Sequence, residues 1–194
     1  RRHYSDQESL DVQQQVVADL RAAIGILDQE GWDRSDSQKR RDYAKAHRYL
    51  SDAYGIIEKE LITLARRAVD PQRSPLLELA QEALDNGLAA IWKAVQAASD
   101  PNRRDEGPEE FLNAHAVSNL PVPVGDDLRI ELASALNNLA DELRAHKAIE
   151  PSLAAIERAV SIGEDLANKD YRRYAPHLAR FYNNKGKTQL ANAA

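Results

Sequence analysis

The 194 residues include neither cysteine nor methionine. Without cysteine there is no disulfide, no thiolate nucleophile and no cysteine-held metal, which fits a reducing cytoplasm. A chain that opens Arg1-Arg2-His3 and never uses methionine reads as a segment cut from a longer protein. Long apolar runs are missing as well. None approaches the roughly 20 residues that a helix needs to cross a bilayer, and no charged-then-apolar stretch opens the chain. No membrane association is expected, and the expected location is cytoplasmic. Charge of one sign is also missing: 26 Lys and Arg stand against 31 Asp and Glu, for a net charge of −5. A nucleic-acid binder gathers its Lys and Arg on one face, so no nucleic acid is expected. The doublets Arg40-Arg41, Arg66-Arg67, Arg103-Arg104 and Arg172-Arg173 are scattered, each near acids. They read as solvated helix faces. Finally, valine and isoleucine never form the alternating runs that mark strands.

Helix formers dominate what is present, with Ala, Leu, Glu, Gln and Arg leading. Apolar residues make up 43% of the chain, enough for one good core or two small ones. The fold class is all-α. A first helix is expected over residues 6–30, with Ser5 and Glu8 forming a capping box. Leu10, Val17, Leu20, Ile24 and Leu27 form its apolar stripe. Gly31 to Asp36, with Trp32 as a loop anchor, makes a turn. A second helix, 37–69, carries Tyr43, Ala46, Leu50, Ala53, Ile57, Leu61, Leu64 and Ala68 at three-four spacing. So narrow and sustained a stripe suits coiled-coil-like packing, and pairing of two copies through residues 37–69 is one expectation. Asp70-Pro71 ends that helix. A third, 74–99, begins with Ser74-Pro75 and has an apolar face broad enough to cover both earlier helices. Gly87 in its middle marks a bend or break. Residues 1–100 therefore read as an antiparallel helical bundle.

Residues 101–126 read as a linker with one short helix, Glu109–Val117, and then an extended proline-rich stretch. Helices follow from Asp127 to Ala145, from Pro151 to Ala167, and from Tyr171 to the end.

Comparing this tail with itself reveals a repeat. Leu132-Ala133-Ser134-Ala135-Leu136-Asn137-Asn138 returns 46 residues later as Leu178-Ala179-Arg180-Phe181-Tyr182-Asn183-Asn184. Leu136-Asn137-Asn138-Leu139-Ala140, followed by Ala155-Ile156-Glu157-Arg158-Ala159-Val160, resembles tetratricopeptide repeats, especially the long-period kind. In that family small residues stand where paired helices cross. Ala140, Ser152 and Ala159 fall at those positions, and Leu136, Leu139, Leu143 and Ile156 at the larger packing positions. The resemblance covers residues 127–194. It departs at the turn, where His146-Lys147-Ala148 replaces the usual glycine, and at Lys185, which stands where an apolar residue is normal. Residues 88–95 echo the second helix of such a repeat.

What the resemblance implies is an α-hairpin stack whose first helices line a groove for another protein or an extended peptide. Asn137, Asn138, Asp141, Arg180, Asn183, Asn184 and Lys187 would line it. An asparagine amide both donates and accepts, so Asn138 and Asn184 are the residues expected to grip a peptide backbone. The rival is that paired asparagines bond across neighbouring helices.

Other constellations carry less. Gly186-Lys187-Thr188 looks like the end of a phosphate loop, but Phe181 stands where that loop needs glycine. Glu142 and His146 lie one turn apart without the further Glu and His of a di-metal site, and read as an ion pair on a wet face. His47, with Gly55 beyond it, resembles the exposed histidine of phosphotransfer domains, although Leu50, Ser51 and Asp52 depart from that pattern. His115 and His177 complete no triad, and Trp92 reads as core. The expectation is a non-catalytic scaffold with no metal and no cofactor. A signalling component using His47 or the 100–127 loop is the alternative.

Overall fold

The computed structural model describes residues 2–29, 36–68, 71–99 and 113–193, with side chains throughout except at 2–9 and 29. The described residues form seven helices and no strand, so the fold is all-α. They are α1 (Arg2–Gln29), α2 (Ser37–Arg67), α3 (Arg73–Ser99), α4 (Ala114–Ser118), α5 (Asp126–Ala145), α6 (Ile149–Lys169) and α7 (Tyr171–Asn192). Trp32 and residues 100–112, including the first four residues of the expected short helix, lie outside the described residues.

Local chemistry accounts for most helix ends. The Asp36 carboxylate accepts from the backbone N–H of Gln38 and Lys39, at 2.8 and 3.2 Å, and starts α2. Asn113 caps α4 in the same way, through His115 and Ala116. α1 begins at Arg2, so Ser5 lies within the helix and not at its start. Gly87 does not break α3, which runs unbroken through it.

α5 ends in a Schellman motif: Ala148 N donates to Leu143 O at 2.9 Å and Lys147 N to Arg144 O at 3.0 Å. The residue in the left-handed conformation is Lys147, with φ 61°. Its Cβ makes that conformation costly where glycine adopts it freely. Lys147→Gly is therefore expected to stabilise the chain by about 0.5–1 kcal/mol, measured as a shift of the urea midpoint. A lower midpoint would contradict the account of this turn.

α2 pairs with α3, α5 pairs with α6, and α7 packs on α6 and α5. α5 also touches α2 and α3, so α2, α5 and α7 stand side by side with α3 and α6 behind them. The largest core cluster runs without interruption from Leu88–Ala98 on α3, through α5 and α6, to Phe181 on α7. Val117 and Leu120, in the stretch between α3 and α5, are fully buried in it. Arg158 donates to Leu120 O at 2.9 Å and holds that extended stretch.

Small residues let α5 and α6 approach. Ala140, Ser152 and Ala159 all have no exposed surface, and Ser152 Oγ donates to Ala140 O at 2.7 Å. In the next step Gly163 does the same for α7. A Cβ there would stand 3.0 Å from Phe181 Cδ2.

A second cluster joins α1, α2 and the 76–90 part of α3. Here the structure departs from the closed three-helix bundle. α1 packs on α2 and leaves an apolar cleft of about 460 Å³ toward α3, floored by Tyr54, Ile57 and Leu61. The α2 stripe is used within the chain. Leu50, Ala53, Ile57 and Leu61 are buried in the cluster that α2 shares with α1 and α3.

Arg40 is another correction. It is buried rather than solvated, and its Nε and Nη2 donate to Ala97 O and Ala98 O, both at 3.0 Å. α3 has no basic residue in its last turn, so a cation from α2 satisfies its terminal carbonyls. Arg40→Met is expected to cost about 2 kcal/mol, against a few tenths for Arg66→Met on the surface. Equal losses from the two changes in urea titrations would discard this role.

Candidate functional site

The aligned faces of α2, α5 and α7 carry a ladder of polar side chains. Asn138 Nδ2 on α5 donates to Asp52 Oδ1 on α2 at 2.8 Å. One step along, Asn184 Nδ2 on α7 donates to Asp141 Oδ2 on α5 at 2.9 Å, and to Asn137 Oδ1 at 3.1 Å. Asn138 and Asn184 are repeat counterparts, and each reaches an aspartate on the preceding helix of the row. The chain is extended by Asn137 donating to Asn138 Oδ1 at 3.2 Å and Lys187 Nζ to Asn184 Oδ1 at 3.2 Å.

Burial divides the seven expected groove residues. Asn137 is 1% exposed and Asn184 6%. Their amides are engaged between helices and do not face a ligand, so the interhelical alternative describes this pair. Asn138 and Asp141 are half-buried, while Arg180, Asn183 and Lys187 are exposed. No hydrogen bond engages the Asn183 side chain among those described.

α2 supplies residues that the sequence pattern concealed. Arg48 lies 3.5 Å from Glu131 and 3.9 Å from Asp52, and Lys45 lies 3.8 Å from Glu131. Asp52, Gly55 and Lys59 join Asn138, Asp141 and Glu142 around a recess of about 120 Å³. One signal was available: Leu50-Ser51-Asp52 is answered by Leu139-Ala140-Asp141 in α5. The coiled-coil-like spacing of α2 hid it.

Glu142 lies off the wet face assigned to it. A Cβ on Gly55 would lie 3.5 Å from Glu142 Oε1, and one on Gly87 would lie 3.7 Å from it. The carboxyl group fills a notch left by two glycines on α2 and α3. Burial first, and then the Glu58 carboxylate, push its pKa up to about 7, against the pull of Lys59. Burial also raises Asp52, opposed by Arg48, Arg180 and Lys59. His146 meets Asp85 at 3.7 Å instead of Glu142. Among the described residues no group of three or more His, Cys, Asp or Glu side chains is arranged to hold a metal.

His47 is 4% exposed, its ring 4.5 Å from that of Tyr43, and neither ring nitrogen has a hydrogen-bond partner. Burial, then the Lys93 charge, lower its pKa to about 4. A phosphoryl donor cannot reach it, which removes the phosphotransfer alternative at this residue. Gly186-Lys187-Thr188 is helical, with Thr188 fully buried, and forms no phosphate loop. Trp92 is a core residue, 2% exposed. Among the described residues no helix is long and apolar enough to cross a membrane.

Amide and carboxylate groups of α2 and α5 stand beside the exposed Lys59, Arg180 and Lys187, a surface suited to polar backbone and charged side chains. No protein-family model, curated protein or solved structure matches the chain.

Proposed function

We propose that this chain is a non-catalytic interaction module of tetratricopeptide-like build, which holds an extended segment of a partner protein on its α2–α5–α7 face. The observation that carries this reading is the recurrence of one bond, asparagine to the aspartate of the preceding helix, at both steps of the row. A repeating helical row that spends its buried amides on its own spacing presents the rest as a continuous polar surface. Asn138, Asp141, Arg180, Asn183 and Lys187 are the ligand-facing members, joined by Arg48, Asp52 and Lys59. Asn137 and Asn184 hold the spacing. The reading needs no cofactor or metal, and a reducing cytoplasm suits a chain without cysteine.

A displayed library of random peptides, panned against the chain, tests this reading. Enriched peptides are expected to lose at least about tenfold in affinity with Arg180→Glu, Lys187→Glu or Asn138→Ala. Leu79→Glu, far along α3, should leave binding unchanged. A library that yields no binder, or binders indifferent to the three changes, would remove this face as the site.

A further inference from the structure

We propose that copies of this chain associate head to tail, with α7 of one copy lying in the groove between α1 and α2 of the next. One packing unit occurs twice inside the chain: α2 rests against α3 and α5, and α5 rests against α6 and α7. In each unit a front helix sits on its own partner and on the next front helix. At the amino end, α1 and α2 pack together as the second and third members of such a unit, with no described helix in the first place. At the carboxyl end, α7 is a front helix with no described partner behind it. The two ends are complementary halves of one unit.

The residues agree with this placement. On α5, Ala133, Leu136 and Ala140 have essentially no exposed surface. Their counterparts on α7, 46 residues later, are Ala179, Tyr182 and Gly186. Tyr182 is 47% exposed, and nothing lies within 4 Å of a Cβ built on Gly186. The receiving groove, about 350 Å³, is lined chiefly by Val16, Leu20, Tyr49, Ala53 and Ile56. Val16, Tyr49 and Ile56 are 37%, 50% and 39% exposed, a cost in water that a covering helix removes. Charge is complementary at the α1 wall alone: α7 carries five basic and no acidic residues and α1 five acidic and two basic, while α2 carries eight basic and four acidic, so the choice of a second copy rests on the matching half-units. A contact between unlike surfaces leaves each dimer with one free end of each kind, so association continues beyond the dimer into a ring or an open row.

Sedimentation velocity over about a hundredfold range of concentration tests this. The wild-type chain should grow past dimer as concentration rises. Ala179→Glu blocks the tail and Ile56→Glu blocks the groove, both at exposed positions, and each should weaken association at least about a hundredfold. Circular dichroism checks that both variants stay folded, and Gly186→Glu and Val16→Glu serve as second variants at each end. Because each blocked variant keeps one good end, an equimolar mixture should form a one-to-one dimer and nothing larger. A wild-type chain that stays monomeric, a growth insensitive to these changes, or a mixture that yields no dimer would overturn the proposal. A monomer would point instead to a helix of a longer polypeptide in the groove.

Discussion

Phe181→Ala is expected to cost about 4 kcal/mol of unfolding free energy, the largest effect of any single change considered. The ring is fully buried and lies against the open backbone of Gly163, with Leu178 alongside. Removing it leaves a cavity where Gly163 lets α7 pack close against α6. Urea titration should show the loss, and hydrogen exchange should show α7 amides opening before those of α5. The partner change gives a sharper test. In the wild type, Gly163→Ala forces a methyl within 3.0 Å of Phe181 and 3.2 Å of Leu178, and should cost about 1–3 kcal/mol. In the Phe181→Ala background the methyl has room, and the helix preference for alanine over glycine should make the same change favourable by up to about 1 kcal/mol. If the two losses simply add, the contact is not what holds the helices in register.

Glu142→Gln is expected to raise stability by about 3 kcal/mol near pH 8 and to change it little near pH 4. Folding lifts this carboxyl group from 4.5 to about 7. Between those values the native chain keeps a proton that the unfolded chain has released, so stability falls as pH rises through the interval and stays low above it. His47 acts in the opposite sense. Folding lowers its pKa from 6.5 to about 4, so the unfolded chain binds a proton that the native chain refuses, and stability falls as pH drops from 6.5 to 4. The two slopes oppose each other in the wild type. Glu142→Gln should expose the histidine slope, with stability rising from about pH 4 to 6.5. His47→Leu should expose the carboxyl slope and stabilise the chain by about 3 kcal/mol near pH 4, where the buried imidazole costs most. Urea midpoints across this range read both effects. A Glu142→Gln variant whose midpoint follows the wild type at every pH would show that the notch is open to water.

The repeat counterparts Asn138 and Asn184 show how far a site can be read ahead of a structure. Their equal phase in two helices was visible in the order of residues, because helix periodicity makes matching letters at matching intervals point the same way. Which neighbour each one meets was not visible. Asn137 and Asn183 are also counterparts, yet the first is sealed against α7 and the second lies on an exposed part of α7 that no described helix covers. Position in the row, rather than residue type, decides between gripping a ligand and holding two helices together.

By itself, the order of residues determined where most helices lie, which face of each is apolar, and that a seven-residue stretch of α5 has a counterpart at the same helical phase in α7. Those follow from rules that act within a few turns of chain. Tertiary packing decided that Arg40 caps a helix nearly sixty residues away, that Glu142 falls into a notch made by two distant glycines, that His47 is sealed, and that α1 leaves a groove on α2 instead of closing a bundle. Each depends on which helix covers which face and at what height. That is settled only when long-range contacts compensate the entropy of bringing distant segments together.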